Sequence, residues 1–441
     1  MNSKLKLPPG SMGLPKVGET LSFISNAYHF LENRRKLYGN IFKSNVLGRK
    51  IVFLAGTEGA EAFYNSENIS RSDAHPFPLV DLFGGINMEM YDGPKHKALK
   101  AMALTAFDRT AISGYLPDMQ HLIESALERM SKMTEFSAID ELRKLAIEAI
   151  CLNVLGMPPS AETETIMNDY ALVITGLLSL PVSLPMTAYG KARGARDRLL
   201  SRIRKVILER RKHPSNDGLS RILAAKASDG RVYTDEEALL EVHHMVIAGF
   251  IVYALMAEAI RQLAEKPTLR ERCLAEVREH SPSGPITIEA LSKMRLSTAV
   301  ILETKRYLPI VPLAFGRAQR AFKCSGFDVP EGWTVYLALN LCNSDPAIYR
   351  DPQVFDPDRF APPRSEHLKH PMAFIPQGAA PPTGHQCLGI DYSTFLSVAF
   401  LAVLLRSYIW ELPPQNLDFN WKSIPPRPHD GLRVKMRRTI P

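Results

Sequence analysis

The sequence predicts a mainly α chain with small β-sheets, folded as a single domain over residues 1–441. Three observations lead there. Long stretches carry apolar residues at helical spacing, most clearly Ile139 to Leu155, Asp197 to Arg211, Asp235 to Glu265 and Ile288 to Tyr307. Compact β-like runs are short, as in Lys50 to Leu54 and Thr334 to Leu339. An apolar content of 45% in 441 residues supports a large core, and no internal repeat or low-complexity linker divides it.

Taken in order, the segment Met1 to Gly13 has neither a long apolar core nor a small-residue cleavage pattern, so no signal peptide is expected and a cytoplasmic location is. The stretch Leu172 to Met186 is apolar, but Pro181 and Pro185 prevent a continuous helix; it reads as a lid, or as two core helices meeting at a proline corner. Arg202 to Lys212 is an amphipathic helix with a basic solvent face. A net charge of +8 raises the question of nucleic acid, yet no basic run is interleaved with aromatics, and no nucleic-acid partner is expected. Within Asp235 to Glu265 the longest apolar run, Met245 to Ala257, is too short to cross a bilayer, so no integral membrane anchor is expected. The Pro-rich stretches 361–382 and 412–428 are ordered loops between elements.

Two patterns carry chemistry. Glu303 and Arg306 stand at i, i+3 between Val300-Ile301-Leu302 and Tyr307-Leu308-Pro309, which predicts a buried ion pair that Arg359 of Asp356-Pro357-Asp358-Arg359-Phe360 completes. Cys387 follows Phe374-Ile375-Pro376-Gln377-Gly378 and Gly384-His385-Gln386, and precedes the apolar helix-like run Ser393 to Leu405. A thiolate metal ligand needs N–H donors around sulfur, a helix N-terminus behind it and a small residue where a porphyrin passes, here Gly389. A structural cysteine in a Gly/Pro turn is the plainer alternative. Zinc is disfavoured, because His385 and Cys387 make only two ligands and no CxxC partner exists. The other cysteines, Cys151, Cys273, Cys324 and Cys342, follow no regular spacing, as expected for a reducing compartment.

With these segments the chain resembles the cytochrome P450 family from Leu7-Pro8-Pro9-Gly10 to its last strands, matching also at Asp92 to Lys100, Ala248-Gly249, Arg317 and Asn343 to Pro346. The resemblance implies a P450-like fold, haem b (iron protoporphyrin IX) as cofactor and Cys387 as axial ligand of its iron. It further implies His96, Lys100, Arg317 and His385 as partners of the haem propionates, for which charge-assisted donors at the rim of an apolar macrocycle make sense.

The sharpest departure lies in the central helix. Family members that activate oxygen follow Ala-Gly with one residue, then an acid and an alcohol that relay protons; here those positions are Ile251 and Val252. Three explanations follow. The substrate's own polar group replaces the relay, as in peroxide-using members that share the FxPQG…TGHxC pattern, although their central-helix arginine is missing between Val242 and Ala259 and their Gly-rich stretch is Ala379-Ala380-Pro381-Pro382 here. Alternatively Tyr253 or His244 relays protons through water, or the reaction is an isomerisation or dehydration needing no external oxygen.

The expected function is therefore a monomeric haem-thiolate oxidoreductase of secondary metabolism that hydroxylates, or oxidatively couples or cyclises, an apolar small molecule such as a lipid or terpenoid. Electrons would come from a ferredoxin and its reductase, or oxidant from hydrogen peroxide. A haem-thiolate isomerase or lyase and a non-enzymatic haem sensor are the rivals.

Overall fold

The computed structural model describes residues 5–15, 17–379 and 384–439. The part of the cysteine loop from Ala380 to Thr383 lies outside them. Helices dominate. Their starts follow local capping chemistry: Asp108 accepts from the Ala111 N–H at the head of Arg109–Ser131, and Thr234 with Glu237 forms a reciprocal capping box at the head of Asp235–Phe250.

The largest sheet has five strands in the order Ile41–Val46, Arg49–Leu54, Thr334–Ala338, Leu313–Ala318 and Ile69–Ser70. Arg49–Leu54 and Thr334–Ala338 run parallel, with Ile51 opposite Thr334, while the other pairs are antiparallel. A long connection must therefore join those two central strands, and most of the helices lie within it. One apolar core runs from Leu82 to Met436 and is built mostly of helical residues; two smaller clusters pack on the sheet.

Several elements depart from the sequence expectation. Asp235 to Glu265 is two helices, Asp235–Phe250 and Tyr253–Glu265, separated at Ile251-Val252. There the hydrogen bonds tighten to i→i−3, Val252 N–H to Gly249 O at 3.3 Å and Leu255 N–H to Val252 O at 3.0 Å. Ile288 to Tyr307 likewise breaks at Met294 into Ile288–Lys293 and Arg295–Tyr307. The helix expected from Asp197 starts earlier, at Ala188, so Tyr189 and Ala192 are buried helix residues. The proposed lid is helical up to Leu177, and its prolines sit in a solvent-exposed loop where Leu180, Val182, Leu184 and Met186 are all exposed. Further helices include Ala27–Tyr38, Gly93–Leu104, Arg109–Ser131, Ala161–Leu177 and Pro267–His280, and three smaller sheets accompany the five-stranded one. Two helical stretches, Asp235–Glu265 and Ile390–Ser407, are long and apolar enough to cross a membrane by length and composition; both are largely buried in the core.

Candidate active site

Cys387 sits on a turn immediately before helix Ile390–Ser407. Its N–H donates to the Gln377 carbonyl at 2.9 Å, while its Sγ accepts from the Gly389 N–H at 3.3 Å and the Gln377 amide at 3.7 Å. Gly378 makes this return possible: its φ is +82°, and a Cβ there would stand 2.9 Å from the His385 carbonyl. The other four cysteines are buried, whereas Cys387 has accessible surface although protein surrounds it. Burial raises the thiol pKa against the Gly389 N–H and the charges of Lys305 and Lys100, so sulfur stays protonated unless a metal holds it as thiolate.

Helix Gly93–Leu104 ties down the approach to this cysteine. Lys100 donates to the carbonyls of Gly384 and Gln386, and His96 lies 2.9 Å from Met88 O and 3.2 Å from Gly384 O through its two ring nitrogens. Burial, then the neighbouring His385 charge, lowers the His96 pKa. The two rings stack at 3.9 Å. His385 also reaches Asp92 at 3.4 Å and Glu89 at 3.9 Å. Burial opposes its charge, but these carboxylates outweigh it and raise its pKa; against the same cost of burial, His385 holds Glu89 and Asp92 well below the usual carboxylate range.

Arg317 does not join this cluster. It is exposed on its strand, 3.9 Å from Asp73, because its position points away from the interior. Arg71 stands in the cluster instead, buried, with its guanidinium over the Phe63 ring, donating to Phe315 O and adding charge beside Glu89 and His385. Its signal in the sequence was weak, since Arg71 follows a two-residue strand in no recognisable motif.

The central helix shows a single accessible stripe. From Glu241 to Ile260 only His244, Ala248 and Ile251 are not buried, a spacing of i, i+4, i+7 that puts them on one face. His244 packs on Phe83 at 5.1 Å, and burial lowers its pKa, leaving a neutral imidazole. The charges of Glu89 and Lys100 act on both His244 and Cys387, which puts the two groups in the same region of the molecule. Tyr253 is on another face. Together with Gly249 it turns toward helix Ala138–Ile150: a Cβ on Gly249 would be 2.4 Å from Ile150, and the charges acting on Tyr253 are Arg143, Arg427 and Asp140. Helix phase thus separates the two proposed relay residues. His243 is a satisfied core histidine held by Tyr170 and Leu82 O, and burial lowers its pKa to about 4. Val252 is buried.

Behind the cysteine loop, Glu303 accepts from Arg306 at 2.6 and 2.8 Å and from Arg359 at 3.1 Å, all three side chains fully buried. Glu366, which the sequence reading missed, completes the set by accepting from Arg359 at 2.6 Å. Lys305 was missed as well. Its ammonium is buried and donates to Gln377 Oε1, Ser393 and Thr394 at 2.7–3.0 Å. A charged residue between apolar flanks at Glu303-Thr304-Lys305-Arg306 was the available signal.

Comparison with known proteins agrees with this arrangement. The cytochrome P450 family model matches residues 8–426. Abscisic acid 8'-hydroxylase 4 of Arabidopsis thaliana is 30% identical over 446 residues, covering 99% of this chain and 93% of the relative. Cytochrome P450 26B1 of Homo sapiens is 27% identical over 449 residues, covering 98% and 87%. The structure of retinoic acid-bound cyanobacterial CYP120A1 matches with a TM-score of 0.90 at 28% identity, covering 99% of this chain and 100% of that one. The chain belongs to the cytochrome P450 family. It is accordingly a monooxygenase of the haem-thiolate class, whose substrates are apolar molecules.

Proposed function

We propose that this P450 binds haem b through Cys387 and hydroxylates, or oxidatively couples, an apolar isoprenoid or related lipid. The chemistry of the donor set suits that cofactor: a soft sulfur ligand backed by a helix N-terminus, with Lys100, His96, His385 and Arg71 gathered nearby, which would turn from their present carbonyl and carboxylate partners to carboxylates at its edge. When bound, the haem supplies the iron at which oxygen is activated. Gly389 and Gln377 orient the sulfur. His244, with one protonated and one free ring nitrogen, is the one titratable side chain on the accessible stripe, and it moves protons where Ile251 and Val252 cannot.

The observation that carries this reading is the Cys387 turn at the head of helix Ile390–Ser407, whose sulfur accepts from the Gly389 N–H at 3.3 Å and the Gln377 amide at 3.7 Å. The substrate class is supported by two relatives named for, or bound to, abscisic and retinoic acid, both apolar isoprenoid acids. Electrons come from a ferredoxin-type donor; hydrogen peroxide is the second oxidant source to test.

The experiment begins with the reduced protein under carbon monoxide, which should show the red-shifted band of a thiolate ligand and lose it in Cys387→Ala. An imidazole-type band in the unmodified protein defeats the ligand assignment. Titration with retinoids, sesquiterpenoid acids and fatty acids then ranks substrates by spectral shift, and product per reduced cofactor is measured with each. Efficient product formation under strict anaerobiosis without oxidant would replace the oxygenase reading by an isomerase or lyase.

A further inference from the structure

Burying an ammonium group is expensive unless its donors and charge are answered. Lys305 is 3% exposed, yet among the described residues it forms no ion pair; Asp391, the carboxylate on the nearby turn, is solvent-exposed. Its acceptors are Gln377 Oε1 at 2.7 Å, Thr394 Oγ1 at 2.8 Å, Ser393 Oγ at 3.0 Å and Ile390 O at 3.3 Å. All four come from the two segments that flank Cys387 in sequence, the turn before it and the first helical turn after it. A cation at a helix N-terminus is opposed by the helix dipole, so the site calls for a negative charge close by.

Gln377 shows where that charge belongs. Its carbonyl oxygen faces the Lys305 ammonium and its amide nitrogen lies 3.7 Å from Cys387 Sγ. The reverse orientation would set NH₂ against NH₃⁺ and oxygen against sulfur. Lys305 thus selects the orientation in which the amide donates to sulfur, and polarises that donor.

We propose that Lys305 and Gln377 are positioning residues for the sulfur ligand, a buried ammonium and an amide in series that direct a hydrogen bond and positive charge at the Cys387 thiolate and weaken its electron donation to iron. This rests on the reading of Cys387 as the haem ligand. Hydrogen bonds and charge around a ligating sulfur set how readily the metal is reduced and how strongly the ligand pushes electrons onto it.

The test uses the haem-loaded full chain and two readouts other than turnover: the reduction potential and the C–O stretching frequency of the reduced carbonyl complex. Lys305→Met keeps the length and removes the charge. At a fixed applied potential it should lower the reduced-to-oxidised ratio about tenfold, equivalent to about 59 mV for a one-electron couple. The C–O stretch should fall, because a freer thiolate increases back-donation. Gln377→Leu should move both in the same direction, the double variant by less than the sum of the two, and Lys305→Arg should stay near the unmodified values. Fully haem-loaded Lys305→Met with unchanged potential and stretch would overturn the proposal, as would strict additivity of the two substitutions. Should Lys305→Met fail to retain haem, Gln377→Leu decides alone, an unchanged potential overturning the proposal. A carbonyl band of imidazole type in the unmodified protein would instead remove the ligand reading, a distinguishable failure.

Discussion

The two sides of the candidate site are built by opposite means. Behind Cys387 the structure is polar, buried and saturated: Glu303 answers two arginines, Arg359 joins it to Glu366, and Lys305 ties the helix Arg295–Tyr307 to the cysteine turn. The central helix, by contrast, is apolar and broken, with one accessible stripe on which His244 is the sole titratable group. A buried ionic network tolerates little change, since stranding one member leaves an uncompensated charge. The apolar side can accept different side chains at modest cost, and it is there that this chain lacks an acid and an alcohol.

The strongest way to break this contrast is Glu303→Ala. Removing the acceptor strands Arg306 and Arg359, which should cost about 3–5 kcal/mol and yield protein with little bound haem. Normal haem content with an unchanged melting temperature would show the network to be dispensable. On the other side, His244→Ala should reduce product formed per reduced cofactor and slow turnover on the order of 10²-fold, the lower end of what a positioned acid–base group contributes. Tyr253→Phe should leave both measurements unchanged; the opposite ranking would mean that the helix face has been assigned wrongly.

A smaller effect tests the central helix through pH. Glu241 is buried and its carboxyl is pushed up to about 8, first by burial, with the Met88 N–H working the other way. Between its ordinary value near 4.5 and about 8, the folded chain holds a proton that the unfolded chain has lost, so stability falls as pH rises, by at most about 1.4 kcal/mol per pH unit. Glu241→Gln removes that slope. Urea midpoints at pH 5.5 and 8 should therefore diverge more for the unmodified protein, and equal slopes would count against a neutral Glu241. The least effect is expected from Val252→Thr: if His244 carries the protons, restoring a hydroxyl at the helix break should barely alter product yield, whereas a large gain in coupling would return the role to that position.

Legibility followed the same division. Glu303, Arg306 and Arg359 could be singled out because their types and flanks foretell burial, and Cys387 because its turn is written in contiguous residues. Glu366 and Arg71 have no such local signature, since Glu366 reaches Arg359 through a short helical turn and Arg71 reaches the site across a sheet edge. The exposed loop after Leu177 kept its apolar character and does not form the helical corner that stood as the alternative to a lid, because Pro181 and Pro185 leave it outside the packed helices.

By itself, the sequence determined a helical P450 with a thiolate-type cysteine turn, a buried ionic brace and a central helix without oxygen-bearing side chains at Ile251 and Val252. Those properties depend on residue identity and short-range spacing. Tertiary structure alone decided that His244 lies on the accessible stripe of the central helix while Tyr253 lies on another face, that Arg71 and not Arg317 joins the charged cluster, and that Lys305 grips both flanks of the cysteine. The physical reason is phase: a helix or strand presents different faces according to what packs around it, and residues distant in the chain set that rotation.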